Sequence, residues 1–189
     1  MSRNYNFKEV NAPMLRGEDA KAKIRDLLTD EGTLFIKTQT TGLGKDARIL
    51  TLTLMDAAGG WTQRLVNPGF QITEKTTKYT GITAEDAGSW ESWEKGVAPD
   101  IAELFSGRTI AGWNVGFDTA AINREQMFIS APNAFEGVLG VWDCMELYSG
   151  AIGKDTRFKK FADAIGKAAP VSPIEYLEEL IDLMKRVSV

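Results

Sequence analysis

The chain has 189 residues, a formal net charge of −4 at pH 7, one cysteine and no histidine. Its length suits a single domain with its own core, and the absent histidine excludes Ser-His-Asp and Cys-His nucleophilic sites and the H-E-x-x-H zinc site. The lone Cys144 allows no internal disulfide, and the mild acidity speaks against a general nucleic-acid coat protein, which carries net positive charge.

Residues 1–16 read as an irregular N-terminal arm with Pro13 as a breaker, and residues 17–189 as one domain. Ala20, Ile24, Leu27 and Leu28 recur at helical spacing and predict a helix over 18–30, ended by Gly32. Leu34-Phe35-Ile36 is a compact apolar run that predicts a buried strand. From Arg48 to Asp56 the pattern has period two, with Leu50, Leu52 and Leu54 on one face and Thr51 and Thr53 on the other. Ala57-Ala58-Gly59-Gly60 then turns the chain into a third strand from Trp61 to Val66, which makes a hairpin.

A short helix follows over 73–80, and Thr83 with Asp86 has the spacing of a capping box. The amphipathic pattern from Trp90 to Phe105 predicts a helix with Trp93, Val97, Ile101, Leu104 and Phe105 inward. Thr109 to Trp113 reads as the fourth strand, Asp118 to Ile129 as a helix, and Val138 to Trp142 as the fifth strand. Helices over 143–149, 157–166 and 173–187 complete the chain. This order predicts an α/β domain with a mixed five-stranded sheet: an antiparallel hairpin side, parallel strands joined by helical crossovers, and flanking helices. No apolar run approaches the roughly 18 residues of a membrane span. The polar start Met1-Ser2-Arg3-Asn4-Tyr5-Asn6 lacks a signal-peptide core. The expected location is therefore cytoplasmic, with no membrane partner.

The informative stretch is Phe35-Ile36-Lys37-Thr38-Gln39-Thr40-Thr41-Gly42-Leu43. It resembles the first motif of the DnaQ-like (DEDDh) 3′–5′ exonucleases, F-I-D-x-E-T-T-G-L. Ile110 to Asp118, I-A-G-W-N-V-G-F-D, is similar to the second motif, N-x-x-F-D at the start of a helix. Between them, Val66-Asn67-Pro68 and Gly81-Ile82-Thr83-Ala84-Glu85-Asp86 resemble the V-N-P and G-I-T-x-E-D segments of the family, and Val141-Trp142-Asp143-Cys144 resembles its strand ending in D-T. Five pieces in the family's order, over roughly residues 33 to 187, imply its ribonuclease H-like fold.

The same resemblance implies a dismantled site. In the family, four carboxylates hold two divalent metals about 4 Å apart, one activating water and the other stabilising the leaving oxygen. The two carboxylates of the first motif are here Lys37 and Gln39, while Asp118 keeps the third. The fourth, with its preceding histidine, falls on Leu177 and Ser172 in one alignment and on Glu179 and Ile174 in another. The tyrosine version also fails, since Tyr176 is followed four residues later by Leu180. The two replacements move the charge of the pocket by about +3, against hard cations that require several oxygen ligands.

The expectation is that no metal pair binds and that Lys37 pairs with Asp118 in its place. If any metal binds, Mg²⁺ or Mn²⁺ would fall to Asp118 and Glu179. Thr40, Thr41, Gly42, Leu43, Trp113, Asn114 and Phe117 are the candidate substrate-binding residues. Each has a structural reading too: Gly42 as a turn needing positive φ, Asp118 as an N-cap, Trp113 as core rather than a platform for a base, and Asn114 and Phe117 as turn and core. The resemblance thus implies an inactive exonuclease-fold protein that binds a protein partner in a nucleic-acid-processing system, or single-stranded nucleic acid. The alternative is an atypical metal-dependent 3′–5′ exonuclease acting on single-stranded DNA or RNA.

Overall fold

The structure, a computed structural model, describes residues 14–154 and 160–189. Most of the expected arm and the start of the expected 157–166 helix lie outside the described residues. Five strands form one sheet: β1 (Thr33–Thr40), β2 (Ile49–Met55), β3 (Trp61–Leu65), β4 (Thr109–Gly112) and β5 (Gly140–Asp143). Their order across the sheet is β3-β2-β1-β4-β5. The pairs β1–β2 and β2–β3 are antiparallel, while β1–β4 and β4–β5 are parallel. This is the mixed sheet that the element order predicts.

The sheet is covered on both faces. Leu34, Ile36, Leu52, Leu54 and Ile110 pack on one side against α6 (Val115–Phe128) and Trp93, Ile101 and Phe105. Phe35, Met55 and Ala111 pack on the other against α1 (Gly17–Thr29), α7 (Cys144–Ala151) and α9 (Pro173–Val187). All seven residues of β2 are therefore buried. Its period-two pattern separates an apolar face from a polar one that is equally covered, rather than core from solvent.

The remaining helices are short: α2 (Glu74–Thr80), α3 (Ala84–Gly88), α4 (Trp93–Gly96), α5 (Ile101–Phe105) and α8 (Phe161–Ile165). The capping box opens α3, with Thr83 and Asp86 bonded reciprocally. The single helix expected over 90–105 is in fact α4 and α5. Pro99 divides them, because its ring disfavours the helical conformation of the residue before it and it has no N–H to give. Helix α6 begins at Val115, ahead of the expected start at Asp118, because Asn114 adopts the left-handed conformation (φ 55°) and turns the chain early. Where α7 crosses the segment leading into α1, a Cβ on Gly150 would lie 1.9 Å from the Leu15 carbonyl oxygen, so only glycine fits. Among the described residues, no helix is long and apolar enough to cross a membrane.

Candidate functional site

Strand β1 outruns its parallel neighbour. Thr33, Leu34 and Phe35 pair with Thr109, Ile110 and Ala111, and the rest of β1 continues past the end of β4. The open side of the strand exposes backbone that must find another partner. Asp118, on the first turns of α6, supplies it: its Oδ1 accepts from the Thr38 N–H at 2.7 Å and from the Thr38 hydroxyl at 2.7 Å. Asp118 is therefore not an N-cap of its helix, but holds α6 to the end of β1. The place is the crevice at the carboxyl end of the parallel strands, beside the point where the sheet changes direction.

Lys37 completes the arrangement. Its Nζ lies 3.6 Å from Asp118 Oδ1, with Asp118 almost fully buried and the lysine side chain 22% exposed. The ammonium also faces two aromatic rings, Tyr176 at 5.1 Å and Phe117 at 5.9 Å, both within cation–π range. The expected pairing of Lys37 with Asp118 is present. Burial pushes the Asp118 carboxyl above its ordinary range, while Lys37 and the two Thr38 donors pull in the opposite direction. Asp118 Oδ2 is buried with no hydrogen-bond partner.

Gln39, two residues along on the same face, uses its whole amide. Oε1 accepts from the Thr51 hydroxyl at 3.1 Å, and Nε2 donates to the carbonyls of Val171 at 3.0 Å and Thr80 at 3.4 Å. It thereby ties the end of α2 and the segment entering α9 to the strand. The register of β1 against β2 slips between Gln39 and Thr40, a bulge that re-aims the chain as it leaves the sheet.

The other expected residues separate. Glu179 is not part of this group: Lys167 at 2.6 Å and Arg186 at 3.6 Å bind its carboxylate, and Lys167 foremost holds it below the usual range. It lines a separate cleft with Tyr148, Ile165 and Leu183 whose wall contains none of Lys37, Gln39 or Asp118. Residues 176 and 179 lie only about 60° apart around α9 but nearly a turn apart along it; Tyr176 is the one that meets Lys37, while Glu179 is held by Lys167 and Arg186. Neither alignment of the last motif selects Tyr176, although Val171 and Tyr176 keep its five-residue spacing. Burial, and after it the nearby Asp118 charge, push the Tyr176 phenol up.

Trp113 is only 5% exposed, with Phe161 at 5.2 Å and Tyr148 at 5.8 Å against its ring. It is core, and no base can stack on it. Phe117 is half-buried beside Lys37, and exposed Asn114 donates its backbone N–H to Asp143 Oδ1 at 2.9 Å. The Thr40 hydroxyl donates to the Gly42 carbonyl at 2.6 Å, the Thr41 hydroxyl accepts from the Arg48 N–H at 3.0 Å, and Leu43 is 89% exposed. Gly42 does not have the positive φ that a glycine turn would require, and a Cβ there would meet open space. Cys144 is buried, as its small apolar character predicts.

These residues do not suit the divalent pair that the motifs imply. Asp118 Oδ1 is already bonded by the two Thr38 donors, the Lys37 ammonium stands beside it, and the Gln39 amide presents N–H groups to carbonyls. Among the described residues, no three His, Cys, Asp or Glu side chains gather around one point.

The chain has the fold of known exonucleases. It matches Escherichia coli exonuclease I, in a zinc-bound complex with single-stranded DNA, with a TM-score of 0.66 and 15% identity, over 81% of this chain and 39% of that one. It matches exonuclease X, in complex with 5′-overhanging duplex DNA, with a TM-score of 0.54 and 16% identity, over 82% of this chain and 92% of that one. A protein of Escherichia phage 186 described as an uncharacterized exonuclease is 35% identical over 94 residues. That alignment spans 49% of this chain and 48% of the phage protein. No protein-family model matches.

Proposed function

We propose that this chain, which has the fold of the DnaQ-like 3′–5′ exonucleases, is a catalytically inactive form of that fold which acts by binding. Its target is a protein in a nucleic-acid-processing assembly, or a nucleic-acid end held without cleavage. The observation that carries this reading is the Lys37 ammonium set 3.6 Å from the buried Asp118 carboxylate. An ammonium supplies positive charge to a phosphate, yet it neither lowers the pKa of a bound water nor polarises a phosphoryl oxygen as a divalent cation does. Gln39 cannot help hold a cation while its N–H groups face Val171 and Thr80. Nor is a general base at hand: the chain has no histidine, and the Tyr176 phenol is pushed away from the range where it would accept a proton. The formal charge of −4 weights the choice toward a protein target over a bare nucleic acid.

The test is degradation of end-labelled single-stranded DNA and RNA with Mg²⁺ or Mn²⁺, comparing the wild type with Asp118→Ala. The expected result is no trimming by either. Trimming by the wild type that Asp118→Ala abolishes overturns the proposal in favour of an atypical metal-dependent exonuclease.

A further inference from the structure

A surface helix ordinarily turns apolar residues inward and charges to water. In α6 both carboxylates, Asp118 and Glu125, are buried, and Glu125 is held by Arg48 and the Ile49 N–H. Its exposed residues are Gly116, Ala120, Met127 and Phe128, none of them charged, with Met127 62% and Phe128 51% exposed. With Asn123, Arg124 and Lys45 of the β1–β2 loop they line an open groove of about 670 Å³ on the outer side of the helix. Its wall contains none of Lys37, Gln39 or Asp118, so it is separate from the site at the end of β1. The rim is positive. Arg124 donates its Nε–H to the Ala47 carbonyl at 2.9 Å, which leaves the rest of the guanidinium for another acceptor. Neither Arg124 nor Lys45 has an ion-pair partner among the described residues. No described residue of the wall is acidic, and Asp46, beside Lys45, lies outside it.

We infer that this face of α6 docks an amphipathic helix of a partner protein whose apolar stripe is flanked by carboxylates. The inference deepens the protein-binding reading above and rests on it. Gly116, Ala120, Asn123 and Met127 recur at helical intervals and form a seam about 16 Å long down one side of α6. A second helix meets such a seam with its own row of the same spacing. Gly116 and Ala120 have no bulk to hold it away, so the axes can close to about 8 Å, and Met127 and Phe128 supply apolar area at the far end. Carboxylates beside the stripe of the partner then reach Lys45 and Arg124. Charge excludes the other occupants. A second copy docked by the same face would bring its own Lys45 and Arg124 against these, and a nucleic acid offers phosphates but no apolar stripe for Met127 and Phe128.

The test is fluorescence anisotropy with a labelled peptide of about five helical turns, built from leucine, alanine, glutamine and glutamate with its apolar residues on one face. The wild type is expected to bind it saturably, with a dissociation constant of about 100 μM or tighter. Lysine in place of the glutamates is expected to abolish binding, and a shuffled peptide without an apolar face is expected to bind at least about tenfold more weakly. Lys45→Glu and Met127→Glu, both at exposed side chains, are each expected to weaken binding at least about tenfold with the thermal midpoint unchanged. A second readout needs no variant: on titration the amide resonances of Gly116, Ala120, Asn123 and Met127 are expected to shift, and those of β3 to stay. Absence of saturable binding overturns the inference, as do shifts away from α6, a lysine or shuffled peptide that binds as well, or an affinity that either variant leaves unchanged. Binding of labelled oligothymidylate that both variants abolish also overturns it, and so does a wild type of twice the 20.8 kDa chain mass that Met127→Glu halves. All arms are free of divalent metal. Failure to bind therefore leaves the inactive reading standing, while metal-dependent trimming overturns that reading and leaves a positive docking result intact.

Discussion

At the residue scale, Lys37 keeps a buried carboxylate tolerable, and this can be weighed by pH. Burial raises Asp118 above its ordinary value of 3.8, so the folded chain holds that proton more tightly than the unfolded one. Stability from this group is present in acid and falls as pH rises through the interval above about 4. Lys37 offsets that fall. Lys37→Met is expected to cost about 2 kcal/mol at pH 8, below the full loss for a buried pair because the two Thr38 donors remain, and progressively less toward pH 4. Urea denaturation of both proteins across that range checks the sign; a cost independent of pH would detach Lys37 from Asp118. Gln39→Glu removes both N–H donors and turns a carboxylate toward the Val171 and Thr80 carbonyls, at an expected cost of about 1–3 kcal/mol. Lys37→Asp/Gln39→Glu is expected to release no measurable Mg²⁺- or Mn²⁺-dependent nuclease activity, because the base and the fourth carboxylate are still missing. The pairing of Lys37 with Asp118 is legible in sequence, since one buried charge requires another. Tyr176 is not, because its orientation depends on where Ser172 and Pro173 start α9.

At the element scale, apolar runs and alternation locate the strands, while the helix limits depend on single residues. Pro99 breaks the amphipathic run, and left-handed Asn114 starts α6 early; neither shows in a pattern of apolar spacing. The end of β1 is a similar case. Three apolar residues mark its core, but its continuation through Lys37 and Gln39 is sustained by pairing with Thr53 and Thr51 of β2, a long-range fact. The α7 crossing offers a direct check. Gly150→Ala puts a methyl group into the Leu15 carbonyl and is expected to cost about 1–3 kcal/mol through displacement of backbone. The displaced segment is the one leading into α1, so limited proteolysis ahead of Gly17 should accelerate along with the loss of stability.

At the scale of the whole molecule, the mixed sheet and its flanking helices are legible from five motif segments and the alternation of strands and helices, while the order of strands across the sheet comes from the structure. The departure from the resembling motif can be read at Lys37 and Gln39, whereas the destination of Glu179 cannot, since its ion pairs with Lys167 and Arg186 hold it in another cleft. One global measurement bears on the pocket. A cation at a hundred times its dissociation constant adds about 2.7 kcal/mol to folding, roughly 5–10 °C in a chain of this size. Millimolar Mg²⁺ or Mn²⁺ is expected to move the thermal midpoint by less than about 1 °C, and a shift of several degrees that Asp118→Ala removes would restore a metal to the site.

The Gln39 amide has a consequence for any attempt to build a cation site at the end of β1. Its N–H groups face the carbonyls of Val171 and Thr80, so a glutamate placed here alone sets a carboxylate against two carbonyl oxygens. An aspartate placed at 37 alone removes the ammonium beside Asp118 and sets two carboxylates together with no cation between them. A carboxylate pocket is therefore reached from this chain only by changes made together, each costly alone.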